Sequence, residues 1–188
     1  MNKKTAASDN TRKKLKEAFL ELYADGGISG ITVGAITKKA GYNRSTFYNY
    51  YDDITSMLDE IENTLIADMK PKITKAFSNG IPMDLNAVFP MMFSVFEQYS
   101  YTLYILLVRN SNIDFRKRLK RMLQEPLKEA FKDHLSTEQS EYVLTFVVSS
   151  GLGLIEYWYE TDKKSSPEDF MTICHSLIAN GVFGQLSG

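Results

Sequence analysis

At 188 residues, 44 % of them apolar, the chain holds enough apolar material for a sizeable core, which argues against wholesale disorder. No apolar run approaches the roughly 18–20 residues of a membrane span, the basic opening MNKKTAASDNTRKK lacks a signal peptide's apolar stretch, and the lone Cys174 excludes an intrachain disulfide. The near-neutral total hides an asymmetry: residues 1–51 carry nine Lys/Arg against four Asp/Glu, leaving 13 against 19 in the remainder. A basic head on an acidic body is expected where one end meets a polyanion; ordinary surface variation gives the same count.

No segment alternates with period two and apolar residues recur at helical spacing, so the expected class is all-α, with about nine helices. Leu15, Ala18, Phe19, Leu22 and Tyr23 form one stripe on a first helix over about 10–25, closed by Asp25-Gly26-Gly27. Thr32 is placed to cap a short second helix reaching about Lys39, with Gly34 inside it as a weakening residue. Gly41 marks a tight turn before a third short helix over about Asn43–Tyr50.

Asp52 and Asp53 are placed to cap a long fourth helix, which Pro71 should kink or end early. Gly80-Ile81-Pro82 reads as a break. Helices follow over about 84–98 and 101–110, then 113–134, where Pro126 predicts a kink or a split. Ser136 with Gln139 has the form of a capping box opening a helix to about Tyr159. Ser166-Pro167-Glu168-Asp169 supplies a cap hydroxyl, a proline for the first helical position and acids on the dipole, the clearest start signal in the chain.

The stretch ITVGAITKKAGYNRSTFYNYY, residues 31–51, sets two short helices around a glycine turn, the layout of a helix-turn-helix. Helical arithmetic turns Phe47 and Tyr51 toward a core with Ile36 and Ala40. Arg44, Ser45, Tyr48 and Asn49 then share the opposite face, with groups able to reach base edges or phosphates. A solvated surface helix has the same form, so the face alone leaves both readings open.

The motif is more specific. Thr32, Val33, Ile36, Ala40, Gly41, Thr46, Phe47, Tyr48, Tyr50 and Tyr51 together resemble the signature of the TetR family of bacterial transcriptional regulators. The resemblance implies a three-helix DNA-binding domain over 1-52 and a helical regulatory and dimerisation domain over 53-188. It implies a homodimer on a palindromic operator in double-stranded DNA, no enzymatic activity and no cofactor, and a cytoplasmic repressor released by a small-molecule effector. A member gated by a protein partner, or acting as an activator, is the alternative.

Position by position, the resemblance implies a phosphate contact for Thr32 and base reading by Arg44 and Ser45. Asn43 and Asn49 match base or phosphate contacts, and Thr46, Tyr48 and Tyr50 match phosphate or sugar contacts. Lys38 and Lys39 lie near the DNA backbone in this picture, or form a merely solvated face. Two departures stand out. Tyr50 replaces the usual histidine, and Ile54, preceded by Asp52 and Asp53, replaces a phosphate-anchoring lysine. The clamp is then weaker, or supplied by Lys3, Lys4, Arg12 and Lys13, which as a sequence read equally well as a disordered tail.

In the body, Ser149, Ser150, Gly151 and Gly153 make a small-residue patch, and Phe170, Ile173, Cys174, Leu177 and Ile178 repeat at core spacing. The resemblance implies that these last two helices dimerise, with Ser149, Gly153, Phe170, Ile173 and Leu177 as candidates; burial within one subunit explains the stripe equally. The run Phe89, Met91, Met92, Phe93, Phe96, Tyr99, Tyr101, Tyr104, then Tyr157, Trp158 and Tyr159, suits a pocket for an apolar or aromatic ligand as well as an ordinary core. An enzyme or metal protein is disfavoured: His134 and His175 lack a Glu-x-x-His partner, and there is no cysteine cluster or glycine-rich phosphate loop.

Overall fold

The computed structural model describes residues 3–78, 85–110, 112–133 and 135–186, the side chains of 3–6, 85–89, 91, 179 and 182–186 excepted. The expected break at Gly80-Ile81-Pro82, the side chains of Lys3, Lys4, Phe89 and Met91, and His134 lie outside the described residues.

Among the described residues the fold is all-α. In order come α1 (Lys3–Gly26), α2 (Val33–Ala40), α3 (Arg44–Tyr48), α4 (Ile54–Ala76), α5 (Leu85–Gln98) and α6 (Ser100–Leu103). A π-helical turn, Tyr104–Arg109, precedes α7 (Ile113–Phe131), α8 (Thr137–Glu160) and α9 (Pro167–Leu186). Two compact units result: residues 1–65 with 109–111, and residues 66–108 with 112–188.

Local chemistry sets most boundaries. Thr32 caps α2, its Oγ1 accepting from the Ala35 amide at 3.1 Å. Gly41 closes that helix at φ 77°, a left-handed geometry that glycine adopts without Cβ strain. Asp53 caps α4, its Oδ1 accepting from the Ser56 amide at 2.7 Å. Ser136 and Gln139 form the reciprocal capping box of α8, and Ser166 Oγ accepts from the Asp169 amide at 3.1 Å to start α9.

Neither proline ends its helix. α4 runs through Pro71 and α7 runs through Pro126 without being split. Pro71 faces solvent, where a carbonyl deprived of its helical donor can be hydrated; Pro126 is buried, so packing offsets the lost hydrogen bond. The single helix expected over 101–110 is instead a short α-turn and a π-turn.

The first unit is centred on Leu15, Phe19, Ile36, Phe47 and Met57, all with no exposed surface. Phe19 stacks on Tyr23 at 5.3 Å and Phe47 leans on Tyr51 at 5.4 Å. Truncating such a fully buried aromatic costs about 3–5 kcal/mol, which fixes how α3 is rolled. Arg109 and Asn110 belong to this unit: Nε of Arg109 donates to the Ala24 carbonyl at 3.3 Å, and Nδ2 of Asn110 to that of Tyr23 at 3.0 Å. The second unit holds Leu103, Phe115 and Leu119 at its centre, and a cluster of Trp158, Tyr159, Phe170 and Cys174.

Candidate nucleic-acid interface

Helix α3 has only five residues, too few to persist alone, so its cap and its core side hold it. Asn43 Oδ1 accepts from the Thr46 amide at 2.9 Å, from Ser45 Oγ at 2.6 Å and from Thr46 Oγ1 at 2.9 Å. The Asn43 oxygen and both hydroxyl protons are thereby spent on shaping the helix. What remains for a ligand is the Asn43 amino group and the lone pairs of the two hydroxyls.

With Phe47 and Tyr51 inward, the opposite side carries exposed Arg44, Ser45, Tyr48 and Asn49, while Thr46 and Tyr50 are half-buried. Tyr48 is 57 % exposed, its ring edge-on to Phe47 with centroids 5.6 Å apart. Thr32, Lys38 and Lys39 are exposed on α2, and Lys39 pairs with Glu21 at 2.7 Å. The expected division of faces is therefore what the structure has.

Gly34 was legible only as a weak point of α2, and the structure gives it a use. The Arg44 side chain lies across it: a Cβ at position 34 would stand 2.8 Å from one terminal guanidinium nitrogen, 3.1 Å from Nε and 3.3 Å from Cζ. The glycine is the seat of the arginine.

The basic N-terminus is partly neutralised. Arg12 and Lys16 reach Glu60 of α4 at 3.5 and 2.8 Å, and Arg12 lies over the Tyr50 ring at 5.5 Å. Lys13 pairs with Glu17 at 3.9 Å. Arg12 and Lys13 sit on a helix. Burial first, and the Glu60 charge second, push the Tyr51 phenol well above its ordinary range, so it stays neutral. No hydrogen bond of normal geometry reaches that hydroxyl among the described residues.

In the second unit, α8 shows solvent a row of large side chains, Tyr142, Phe146 and Tyr157, with Ser149 and Gly153 between them on the same face, and α9 adds Ile173. Sequence reasoning found the small residues, missed Tyr142 and Phe146 and took Tyr157 for a pocket candidate; their spacing of four and then eleven residues was the available signal. Phe170 faces inward, stacked on Trp158 at 4.9 Å, and Leu177 is half-buried. The same unit contains a partly open cavity of about 430 Å³ walled by α4, α5, α7, α8 and α9. Met92, Phe93 and Phe96 line it, whereas Trp158 and Tyr159 pack in the core beside it and Tyr101 and Tyr157 face solvent. Among the described residues no group of three or more His, Cys, Asp or Glu is arranged to hold a metal, and no helix is long and apolar enough to cross a membrane.

A short capped helix with a polar outward face, set against α2 across the Gly41 turn, has the geometry of a helix-turn-helix. The profile described as bacterial regulatory proteins, tetR family, matches residues 16–61, and that of a transcriptional regulator C-terminal region matches residues 84–180, about half of the chain. The chain belongs to the TetR family of transcriptional regulators. It is 27 % identical over 188 residues to the uncharacterized HTH-type transcriptional regulator YxbF of Bacillus subtilis, covering 96 % of this chain and 48 % of that protein. The chain spans about half the length of the curated relatives it matches. Its fold is similar to NalD, the secondary repressor of the MexAB-OprM multidrug efflux pump in Pseudomonas aeruginosa (TM-score 0.73, 16 % identity, 93 % and 96 % of the two chains). It is also similar to the fatty acid degradation regulator FadR from Bacillus halodurans (TM-score 0.69, 18 % identity, 92 % and 96 %).

Proposed function

We propose that the chain is a repressor that binds a palindromic operator as a homodimer and lets go when a small apolar molecule enters its second unit. The observation that carries this reading is the outward face of α3, where Arg44, Ser45, Tyr48 and Asn49 are exposed while Phe47 is wholly buried. Arg44 and Ser45 read base edges, arginine being the usual partner of guanine O6 and N7. Thr32, Lys38, Thr46, Tyr48 and Tyr50 hold phosphates or sugars, and Asn43 and Asn49 flank them. Asp53 is engaged as a helix cap, which lessens the repulsion expected where the family places a lysine at position 54. Residues 1-52 would then be the DNA-binding domain and 53-188 the regulatory and dimerisation domain.

Two half-sites need two recognition helices, so the active species is a dimer. The exposed row of Tyr142, Phe146 and Tyr157, with Ser149 and Gly153 permitting close approach and Ile173 beside them, is the surface best fitted to meet its own copy. An effector acts by preferring a dimer whose recognition helices are wrongly spaced, and only that differential affinity releases DNA. The concave apolar cavity favours a small molecule over a protein partner as the trigger.

The test is Phe146→Glu, a change at a side chain already exposed in the subunit. Sedimentation is expected to show monomers whose affinity for a full palindromic duplex, recovered by selection with the wild-type protein, falls at least about tenfold. A monomeric variant that binds the full site as tightly as the wild type contradicts the two-headed reading.

A further inference from the structure

The chemistry of the cavity wall restricts what can enter. Ile73 of α4, Phe93 of α5, Leu127 of α7, Val147 of α8 and Met171 of α9 stand for its five sides, and among the described residues no lining side chain carries a charge, hydroxyl, amide or imidazole. The Cys174 thiol is the most polar side chain in the wall, and burial pushes it up to about 11, so it remains neutral. Small-molecule sites ordinarily add a few placed polar groups that orient the ligand. Here recognition is left to shape and apolar area, and an ionised head drawn inside would lose its hydration without a partner.

Gly151 supplies a second, independent observation. It lies inside the 24-residue helix α8, where glycine weakens a helix relative to alanine. A Cβ built on it meets nothing within 4 Å, so no neighbour in the subunit demands a glycine there. Gly151 lines the cavity, and its missing side chain is cavity space.

We propose that this cavity takes an uncharged, lipid-like molecule, excludes the corresponding acids, and owes its capacity to Gly151. The inference deepens the ligand-gated reading above and rests on it. The site then senses the neutral form of an apolar compound, such as an alcohol or hydrocarbon, and is blind to the carboxylate made by oxidising it.

The experiment uses the full chain with the uncharged dye N-phenylnaphthylamine, read by its own emission and by that of Trp158, whose ring meets the lining residues Phe93 and Phe170. Dodecanol is expected to displace the dye at pH 8 at a concentration at least about thirtyfold below that of dodecanoate, both below their micellar limits, because the acid must be desolvated. Gly151→Leu is expected to abolish dye uptake while its circular dichroism keeps the wild type's helical content. Gly151→Ala, which meets no neighbour, is expected to fold at least as well as the wild type and to weaken uptake partially. Equal displacement by dodecanoate, or undiminished uptake by Gly151→Ala and Gly151→Leu, overturns the inference and leaves gating standing. Selective uptake of dodecanol with no change in operator affinity supports the cavity's chemistry and instead sinks the gating. No uptake of dye or dodecanol at all overturns the inference outright.

Discussion

The seating of Arg44 on Gly34 predicts that Gly34→Ala moves stability and DNA affinity in opposite directions. Alanine in place of glycine inside α2 stabilises the helix by about 0.5–1 kcal/mol. The new Cβ, however, would lie 2.8 Å from an Arg44 guanidinium nitrogen, closer than atoms pack. The guanidinium is the far end of a flexible chain, so it swings aside at little cost to the fold and leaves its seat on Gly34. If that position holds a base contact, each half-site loses up to about 1–3 kcal/mol, and tenfold in affinity corresponds to about 1.4 kcal/mol. Thermal melting by circular dichroism and operator titration by fluorescence anisotropy measure the two effects. On an Arg44→Ala background, Gly34→Ala is expected to weaken binding no further, since the two act through one group. A variant that melts higher and binds the operator undiminished, while Arg44→Ala binds poorly, refutes the reasoning.

Asn43→Ala removes the acceptor shared by three donors in the first turn of α3 and is expected to cost about 1 kcal/mol of stability together with operator affinity. Asn43→Asp keeps the cap but sets a carboxylate against the phosphates, so melting should hold while anisotropy shows weaker binding. Cys174 gives a pH signature: its pKa in the fold, about 11 against an ordinary 9.0, means the unfolded chain releases the proton first. The thiol's contribution to stability is then whole below about pH 9 and drains away as pH climbs through about 11. Denaturant titrations across that window should show a shallower alkaline decline in Cys174→Ala, and an unchanged slope would contradict the buried-thiol assignment.

What the sequence made legible was local. Thr32, Asp53, Ser136 and Ser166 cap the helices they were expected to cap because a cap needs only a side-chain oxygen and an amide two or three residues away. The two faces of α3 were legible for the same reason: Phe47 and Tyr51 are four apart, and four residues nearly close a helical turn. Pro71 and Pro126 leave their helices unbroken, since solvation on one side and packing on the other offset the lost hydrogen bond that the local rule counts. The π-turn at Tyr104–Arg109 falls in an apolar run without periodicity, which carries no signal for a wider turn. Arg12 reads as a clamp or a tail until the fold brings Glu60 against it.

The cavity was the least legible feature, since its Leu, Val, Ile and Phe wall has the composition of any helical core. Gly151 and Gly153 illustrate the difficulty. In the sequence they form one small-residue patch with Ser149 and Ser150. Two residues along a helix are about 200° apart, so Gly151 turns to the cavity while Gly153 shares the exposed face with Phe146 and Tyr157.

The central claim, that α3 reads a duplex with Arg44, is tested most directly by selecting bound fragments from a random DNA pool with the wild-type protein and with Arg44→Ala. The wild type is expected to enrich a palindrome whose half-sites lie about one helical turn, or a multiple of it, apart. Arg44→Ala should lose preference at one base pair in each half and about 1–3 kcal/mol of affinity. Failure of the wild type to enrich any sequence, or a motif that Arg44→Ala reproduces unchanged, contradicts the account.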